Sequence, residues 1–351
     1  MVEQVPLADI DKVFAHTTNL ANCNLNSKVL ATSDEWFAEA SNLLTPTPAI
    51  SRPGVFVHTG AWYDGWETRR HNPQPYDWVV IKLGATGVIQ GVEVDTAHFK
   101  GNYGEKAELW ATYAPNGSDA ELSDPSYSGW KTVLPIVPCG PSQRQAWKIP
   151  HEANSTPYTH VRLHMYPDGG FARLRLYGHA IAPPAPANQA APIEELSSAL
   201  FGGIVLSASD QHYTPASNII LPGRGKNMGD GWETARSRGA NHVDWAIAKL
   251  GLPGTVAQVI VDTKDFRGNF PRAVSVHGIL AGTGDNVPSA DSPAWVEILK
   301  GDKPTKADTE HIFEGADLAA GREDTRVFSH VKLTLVPDGG VKRFRIMGRR
   351  A

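Results

Sequence analysis

Two acids sit in near-identical surroundings, Glu67 in GWETRRHN and Glu233 in GWETARSRG, each directly after a tryptophan and shortly before basic side chains. A carboxyl packed against an indole is partly desolvated, which favours its neutral form and makes it a usable acid near neutral pH. Glu67 and Glu233 are therefore the first candidates for proton transfer. His71 joins them, because an imidazole titrates in that range unaided; it has no counterpart in the second stretch, which continues Ala235, Arg236, Ser237, Arg238. Arg69 and Arg70, with Arg236 behind them, suit a carboxylate, since the guanidinium fork offers two parallel hydrogen bonds that lysine cannot copy. Their plainer role is a surface ion pair with Asp77 or Asp244, worth about 0–1 kcal/mol.

A second matched stretch, VDTAHFKGNY from Val94 and VDTKDFRGNF from Val261, ends strands with Asp95 and Asp262 and then places Asn102 and Asn269 a few residues on. The aspartates are further acid–base candidates, and the asparagines can read an amide through paired donor and acceptor contacts. The plainer role is an Asx-type turn. His98 and Lys100 stand where Asp265 and Arg267 do, a divergence which implies that the halves no longer do equivalent work. No metal ligand is assigned. The sequence has no HExxH and no cysteine pair, and His160 and His164, four apart on an expected strand, would be about 13 Å apart along it. No cofactor is required by any of these residues, although a loosely held divalent ion on Asp and Glu oxygens stays open.

These residues recur because the chain is a duplication. ATSDEWFAEASNLL matches SASDQHYTPASNII, aligning Asp34 with Asp210, and HVRLHMYPDGGFARLRLYG from His160 matches HVKLTLVPDGGVKRFRIMG from His330, in the same order as the blocks above. Order kept with small shifts in spacing means two copies of one domain. HAIAPPAPANQAAPIEELSS lies between them, with Pro183 to Pro186 disfavouring helix and sheet. The expected organisation is a tail over 1–17, a first repeat over 18–181, a linker over 182–196 and a second repeat over 197–351.

Within each copy Val161, Leu163 and Met165 alternate with Arg162, His164 and Tyr166, and Leu174 and Leu176 alternate with Arg173, Arg175 and Tyr177. Period two predicts half-buried strands, and PDGG between them predicts a hairpin turn. WVVIKLG and VEVDT predict further short strands, and no long amphipathic helix can be traced. The fold class is all-β, two homologous antiparallel β-sandwiches.

Composition excludes several functions. Thirty-three basic residues face 37 acidic ones, for a formal net charge of -4, and no basic stripe offers a surface to nucleic acid. No apolar run approaches the ~20 residues of a bilayer span. Cys23 and Cys139 are the only cysteines, too few for a disulfide framework, and MVEQVPLADIDKVF carries acids where a secretory signal needs a basic stretch. A cytoplasmic protein is expected.

In each copy the order DG, two residues, Thr, a loop, Asp-Trp and a strand ending Leu-Gly resembles discoidin-like (galactose-binding-like) jelly rolls. That resemblance makes Asp64, Gly65, Thr68 and Trp78, with Asp230, Gly231, Thr234 and Trp245, fold-makers, the Trp of Asp-Trp plugging one end of the sandwich. On GWETRRHN, DWVVIKLG and VDTAHFKGNY, with DGWETAR, VDTKDFRGNF and VPDGGVKRFRIMG, the whole chain is similar to the allantoicase family, which cleaves allantoate to ureidoglycolate and urea. The resemblance implies tandem jelly rolls, a homo-oligomer and allantoate as substrate. The competing expectation is a non-catalytic tandem module binding a sugar or other polar ligand.

Overall fold

The computed structural model describes residues 2–150, 155–185, 192–281, 287–321 and 325–351. Contacts divide the chain into two compact units, Met1–Ile181 and Ala182–Ala351. Among the described residues each unit is built on one nine-stranded antiparallel sheet that folds over into two layers.

One strand makes the fold in each unit. The segments expected as separate strands are continuous, Asp77–Asp95 in the first unit and Asp244–Asp262 in the second. The N-terminal part of Asp77–Asp95 pairs with Lys28–Thr32 and Pro157–Tyr166, and its C-terminal part with Arg144–Lys148 and Arg173–Ala180. Its two ends thus belong to different layers. The β-branched residues Val79, Ile81, Val92 and Val94 meet Leu163, Leu174 and Leu176 in the core, all fully buried, and burial of each such side chain contributes about 1.5–3 kcal/mol.

The PDGG segment is therefore not a hairpin turn. Pro157–Tyr166 and Arg173–Ala180 do not pair with each other; both pair with the long strand, and PDGG carries the chain from one layer to the other. On the way Gly170–Phe171 pairs with Trp66–Glu67. Tyr166–Pro167 and Val336–Pro337 are cis in the two units. Asp168 bonds the distant His71 N–H and Arg70 rather than its own turn, and local turn residues do not say which strands they connect.

Two other expectations change. The residues expected as a tail extend the first unit's sheet: Glu3–Val5 pairs with Arg144–Lys148, Ile10 is buried, and Phe14 stacks on Tyr177 with ring centroids 4.4 Å apart. Gly91 makes this contact feasible, because a Cβ there would lie 2.2 Å from the Phe14 ring. In the expected linker, Glu194–Glu195 pairs with Arg343–Arg350 and Leu196 is fully buried, so its last residues belong to the second unit; 186–191, with Pro186, lie outside the described residues. Cys23 and Cys139 are not joined in a disulfide, and burial pushes the Cys139 thiol up to about 12. No helix of the described residues is long and apolar enough to cross a membrane.

Candidate active site

The short strand Trp66–Glu67 is gripped on both sides. Its backbone pairs with Gly170–Phe171, and on the other edge the Glu67 N–H donates to the Ala38 carbonyl at 3.1 Å. Alternation then sends the two side chains opposite ways. Trp66 enters the core fully buried, its indole N–H donating to the Asp34 carbonyl at 2.8 Å. It is Trp66 and Trp232 that plug the sandwich, whereas Trp78 and Trp245 are only half-buried. Gly65 stands against the Phe171 carbonyl, where a Cβ would lie 2.5 Å from that oxygen.

Glu67 emerges on the other face, 7% exposed, and its Oε1 accepts from Asn102 Nδ2 at 2.6 Å. Burial raises its pKa above the ordinary value, opposed by the Asn102 hydrogen bond and the Arg70 charge. Arg69, Arg70 and His71 form an exposed basic rim around it. Thr68 anchors the start of this rim, its N–H donating to the Gly169 carbonyl at 2.8 Å.

Two aspartates organise the rim. Asp34 accepts from the Arg69 backbone N–H at 2.6 Å, and from Nε and Nη2 of the same residue at 3.0 and 2.8 Å. Asp168, from the PDGG segment, accepts the His71 N–H at 2.7 Å and lies 2.7 Å from Arg70 Nε. Neither arginine pairs with Asp77, whose carboxylate instead accepts from Ser33 and Asn72; Asp244 accepts from Ser209 and lies 3.2 Å from His242 Nε2. His71 takes a left-handed backbone, φ 61°, to reach Asp168.

The second unit repeats the scaffold with fewer functional groups. Asn269 Nδ2 donates to Glu233 Oε1 at 2.5 Å, Ala235 N–H to Asp210 at 2.6 Å and Ser237 N–H to Asp338 at 2.7 Å. Arg236 stands where Arg70 does, 3.5 Å from the Gly268 carbonyl, but alanine and serine replace Arg69 and His71.

Asp95 and Asp262 do something different. Asp95 is 4% exposed and accepts from the Ala97 N–H at 2.8 Å, an Asx turn; burial raises its pKa, with the Glu93 charge adding to the effect and the Ala97 hydrogen bond opposing it. Asp262 closes the same turn on Lys264 and is gripped by the Arg224 fork at 2.7 and 2.9 Å. Among the described residues neither carboxylate bonds to the glutamate–asparagine pairs. The structure thus brings together Glu67 with Asn102, Glu233 with Asn269, and the rim of Arg69, Arg70 and His71, and leaves the strand-end aspartates in turns. No group of three or more His, Cys, Asp or Glu side chains fit to hold a metal occurs among the described residues.

An open cavity of about 710 Å³ adjoins this region in the first unit, lined by residues that include Asp34, Trp36, Ala38, Trp62 and Tyr63. Ala38 and Asp34 are the groups that hold Glu67 and Arg69, so the cavity wall and the acid share one support.

Two stretches, residues 18–181 and 194–351, match the allantoicase repeat. The chain belongs to the allantoicase family. An allantoicase of Neurospora crassa is 50% identical over 98% of this chain and 94% of its own length, and one of Saccharomyces cerevisiae is 44% identical over 92% of this chain and 91% of its own. The crystal structure of the Saccharomyces cerevisiae allantoicase superimposes with a TM-score of 0.83 at 39% identity, covering 99% of this chain and 100% of that one.

Sequence reasoning missed Asp34 and Asp168 as organisers of the allantoicase loop. The signal was present, since each recurs at the matched place as Asp210 and Asp338. Both act on backbone N–H groups, which no side-chain motif advertises.

Proposed function

We infer that the chain hydrolyses allantoate to ureidoglycolate and urea. What carries this reading is that both allantoicase repeats are present over nearly the whole chain, each with its buried or half-buried glutamate held by an asparagine amide.

Allantoate has a carboxylate and two ureido nitrogens on its central carbon. Water attack on a ureido carbonyl would release carbamate, so intact urea requires cleavage of the bond from the central carbon to nitrogen. In this scheme Glu67 carries the proton on Oε2, Oε1 being engaged by Asn102, and delivers it to the departing ureido nitrogen. The C–N electron pair leaves with urea, an iminium-like carbon remains, and water adds to it while His71 accepts the water's proton. Arg70 engages Nε and Nη1 with Asp168 and Gly101, leaving Nη2 for the substrate carboxylate. Arg69 offers Nη1 beyond its Asp34 pair. Asp95 and Asp262 act as turn-formers that set the loops bearing Asn102 and Asn269.

The finer features of this reading are a homo-oligomer in the cytoplasm, the compartment that two cysteines without a disulfide suit. A single monomeric species in sedimentation would remove the first.

The test is urea release from allantoate by the purified chain, with labelled water. Label in ureidoglycolate supports C–N cleavage at the central carbon, and label in urea sinks it. No turnover, with or without added divalent metal, returns the chain to a binding module.

A further inference from the structure

Strand Pro157–Tyr166 sends Val161, Leu163 and Met165 into the core and His160, Arg162, His164 and Tyr166 to the opposite, outer face. An outer face ought to be wet, yet Arg162 is 5% and His164 0% exposed. Their neighbours across the sheet are Val80 and Trp110 for Arg162, and Trp78 and Glu108 for His164.

Several polar atoms on this face have no hydrogen-bond partner among the described residues. The Arg162 guanidinium lies 4.4 Å from the centre of the Trp78 ring, Nε makes no hydrogen bond, and no carboxylate stands within ion-pair distance among the described residues. His164 is walled by Trp110 at 4.3 Å and Tyr76 at 4.8 Å, and neither ring nitrogen is hydrogen-bonded among the described residues. Nδ1 is 3.3 Å from Glu108 Oε2 but not aligned with it, and that oxygen accepts instead from the Tyr166 hydroxyl at 2.6 Å. The Trp110 indole N–H is buried and unpaired as well. Unpaired buried polar groups are costly and rare, and Arg162 Nε, both His164 nitrogens and the Trp110 indole N–H are four of them on one face.

The repeat does not require them. At the matched positions the second unit has Lys332, whose ammonium donates to the Ala290 carbonyl at 2.6 Å, and Ser275, Thr334 and Val336 in place of Glu108, His164 and Tyr166. Ser275, Thr334 and Val336 there line an open cavity of about 590 Å³. The same sheet folds without the arginine, the histidine or the acid, so their presence in the first unit calls for a ligand.

We propose that the outer face of the first unit's sheet binds a small carboxylate carrying a planar amide or ureido group, with the carboxylate on Arg162 and the amide paired with His164 and the Trp110 indole N–H. The chemistry matches the unpaired groups: a fork for an anion, a donor and a histidine nitrogen for an amide, and indole and phenol rings against a planar ligand. The class follows from these side chains; the substrate and product named above share it, as would a separate effector.

Oxamate, an unreactive carboxylate with a planar amide, is the probe, titrated into the full chain while Trp78 and Trp110 report by fluorescence. Saturable binding is expected, weakened about tenfold or more in Arg162→Met and less in Arg162→Lys, which keeps the charge but not the fork. Because Arg162 has no carboxylate or hydrogen-bond partner among the described residues, and Met keeps the packing against Trp78, Arg162→Met should melt no lower than the parent. Oxamate binding within twofold of the parent in both variants overturns the proposal, as does a large loss of melting temperature in Arg162→Met, which would make the arginine structural. Competitive inhibition of urea release by bound oxamate assigns the site to the substrate, and binding without inhibition assigns it to a separate ligand. The binding measurement needs no turnover, so failure of the hydrolysis reading leaves it standing.

Discussion

Asn102 Nδ2 lies 2.6 Å from Glu67 Oε1, and the same bond recurs at 2.5 Å between Asn269 and Glu233. The pair survives in both units while the rim around it does not: Arg69 and His71 of the first unit face Ala235 and Ser237 in the second. Replacing each glutamate by glutamine keeps the hydrogen bond and removes the proton. Glu67→Gln is expected to lower urea release by about 10²–10⁴-fold, the range of a lost general acid, and Glu233→Gln by much less. Full turnover in a folded Glu67→Gln variant removes the acid from the mechanism.

The raised pKa of Glu67 has a thermodynamic counterpart. Its ordinary value is 4.5, and burial holds the folded-state value above that. The native state therefore favours the proton: the contribution is fully present below 4.5 and is lost as pH rises through the folded value. Glu67→Gln, which cannot ionise, should gain melting temperature relative to the parent at about pH 7 and not at about pH 4. Thermal melts at both values check this, and a difference that does not change with pH contradicts it. In turnover the same group should give a limb that falls on the alkaline side, starting above 4.5.

Arg69 and Asp34 separate charge from scaffold. The guanidinium is 58% exposed and its ion pair with Asp34 is worth about 0–1 kcal/mol. The Asp34 side chain is 8% exposed and also accepts the Arg69 N–H, as Asp210 accepts that of Ala235 with no arginine present. Arg69→Ala should thus barely change stability in urea denaturation, whereas Asp34→Ala should cost about 1–3 kcal/mol by leaving an N–H unpaired. Arg69→Lys should raise KM for allantoate with little effect on kcat if the free Nη1 meets the carboxylate. An unchanged KM assigns Arg69 to the loop alone.

Much of this was legible in the residues. The repeat itself pointed to Glu67, Glu233, Asn102 and Asn269, and period-two alternation identified Val161, Leu163 and Met165 as core. Pairing was not legible, because alternation suits any antiparallel neighbour; the bend of Asp77–Asp95 across both layers is a non-local outcome that its own Gly84 and Gly87 do not announce. Which tryptophan is core was also hidden, since Trp66 and Trp78 both precede or follow an acid and only the pairing of Trp66 with Phe171 decides it. Arg162 and His164 sit at positions that alternation assigns to solvent, so their burial shows only when strands and aromatic side chains are placed together.

The units also differ beneath the DG turn, where a substitution test is clean. In the second unit the Lys342 ammonium, 0% exposed, pairs with Asp265 at 2.9 Å and with the Asn227 carbonyl; the first unit has Ala172 and His98 there. A buried ammonium is tolerated only while its partner remains, and stripping one member of such a pair typically costs about 3–5 kcal/mol, less here because the Asp265 side chain is 27% exposed. Asp265→Ala alone should therefore destabilise the chain, and adding Lys342→Met should recover most of the loss, because an apolar side chain of similar length fills the site without a charge to satisfy. Urea denaturation of the two single variants and the double gives the coupling directly. Additive losses would mean that the ion pair does not hold this turn, and that the Asn227 carbonyl alone satisfies the lysine.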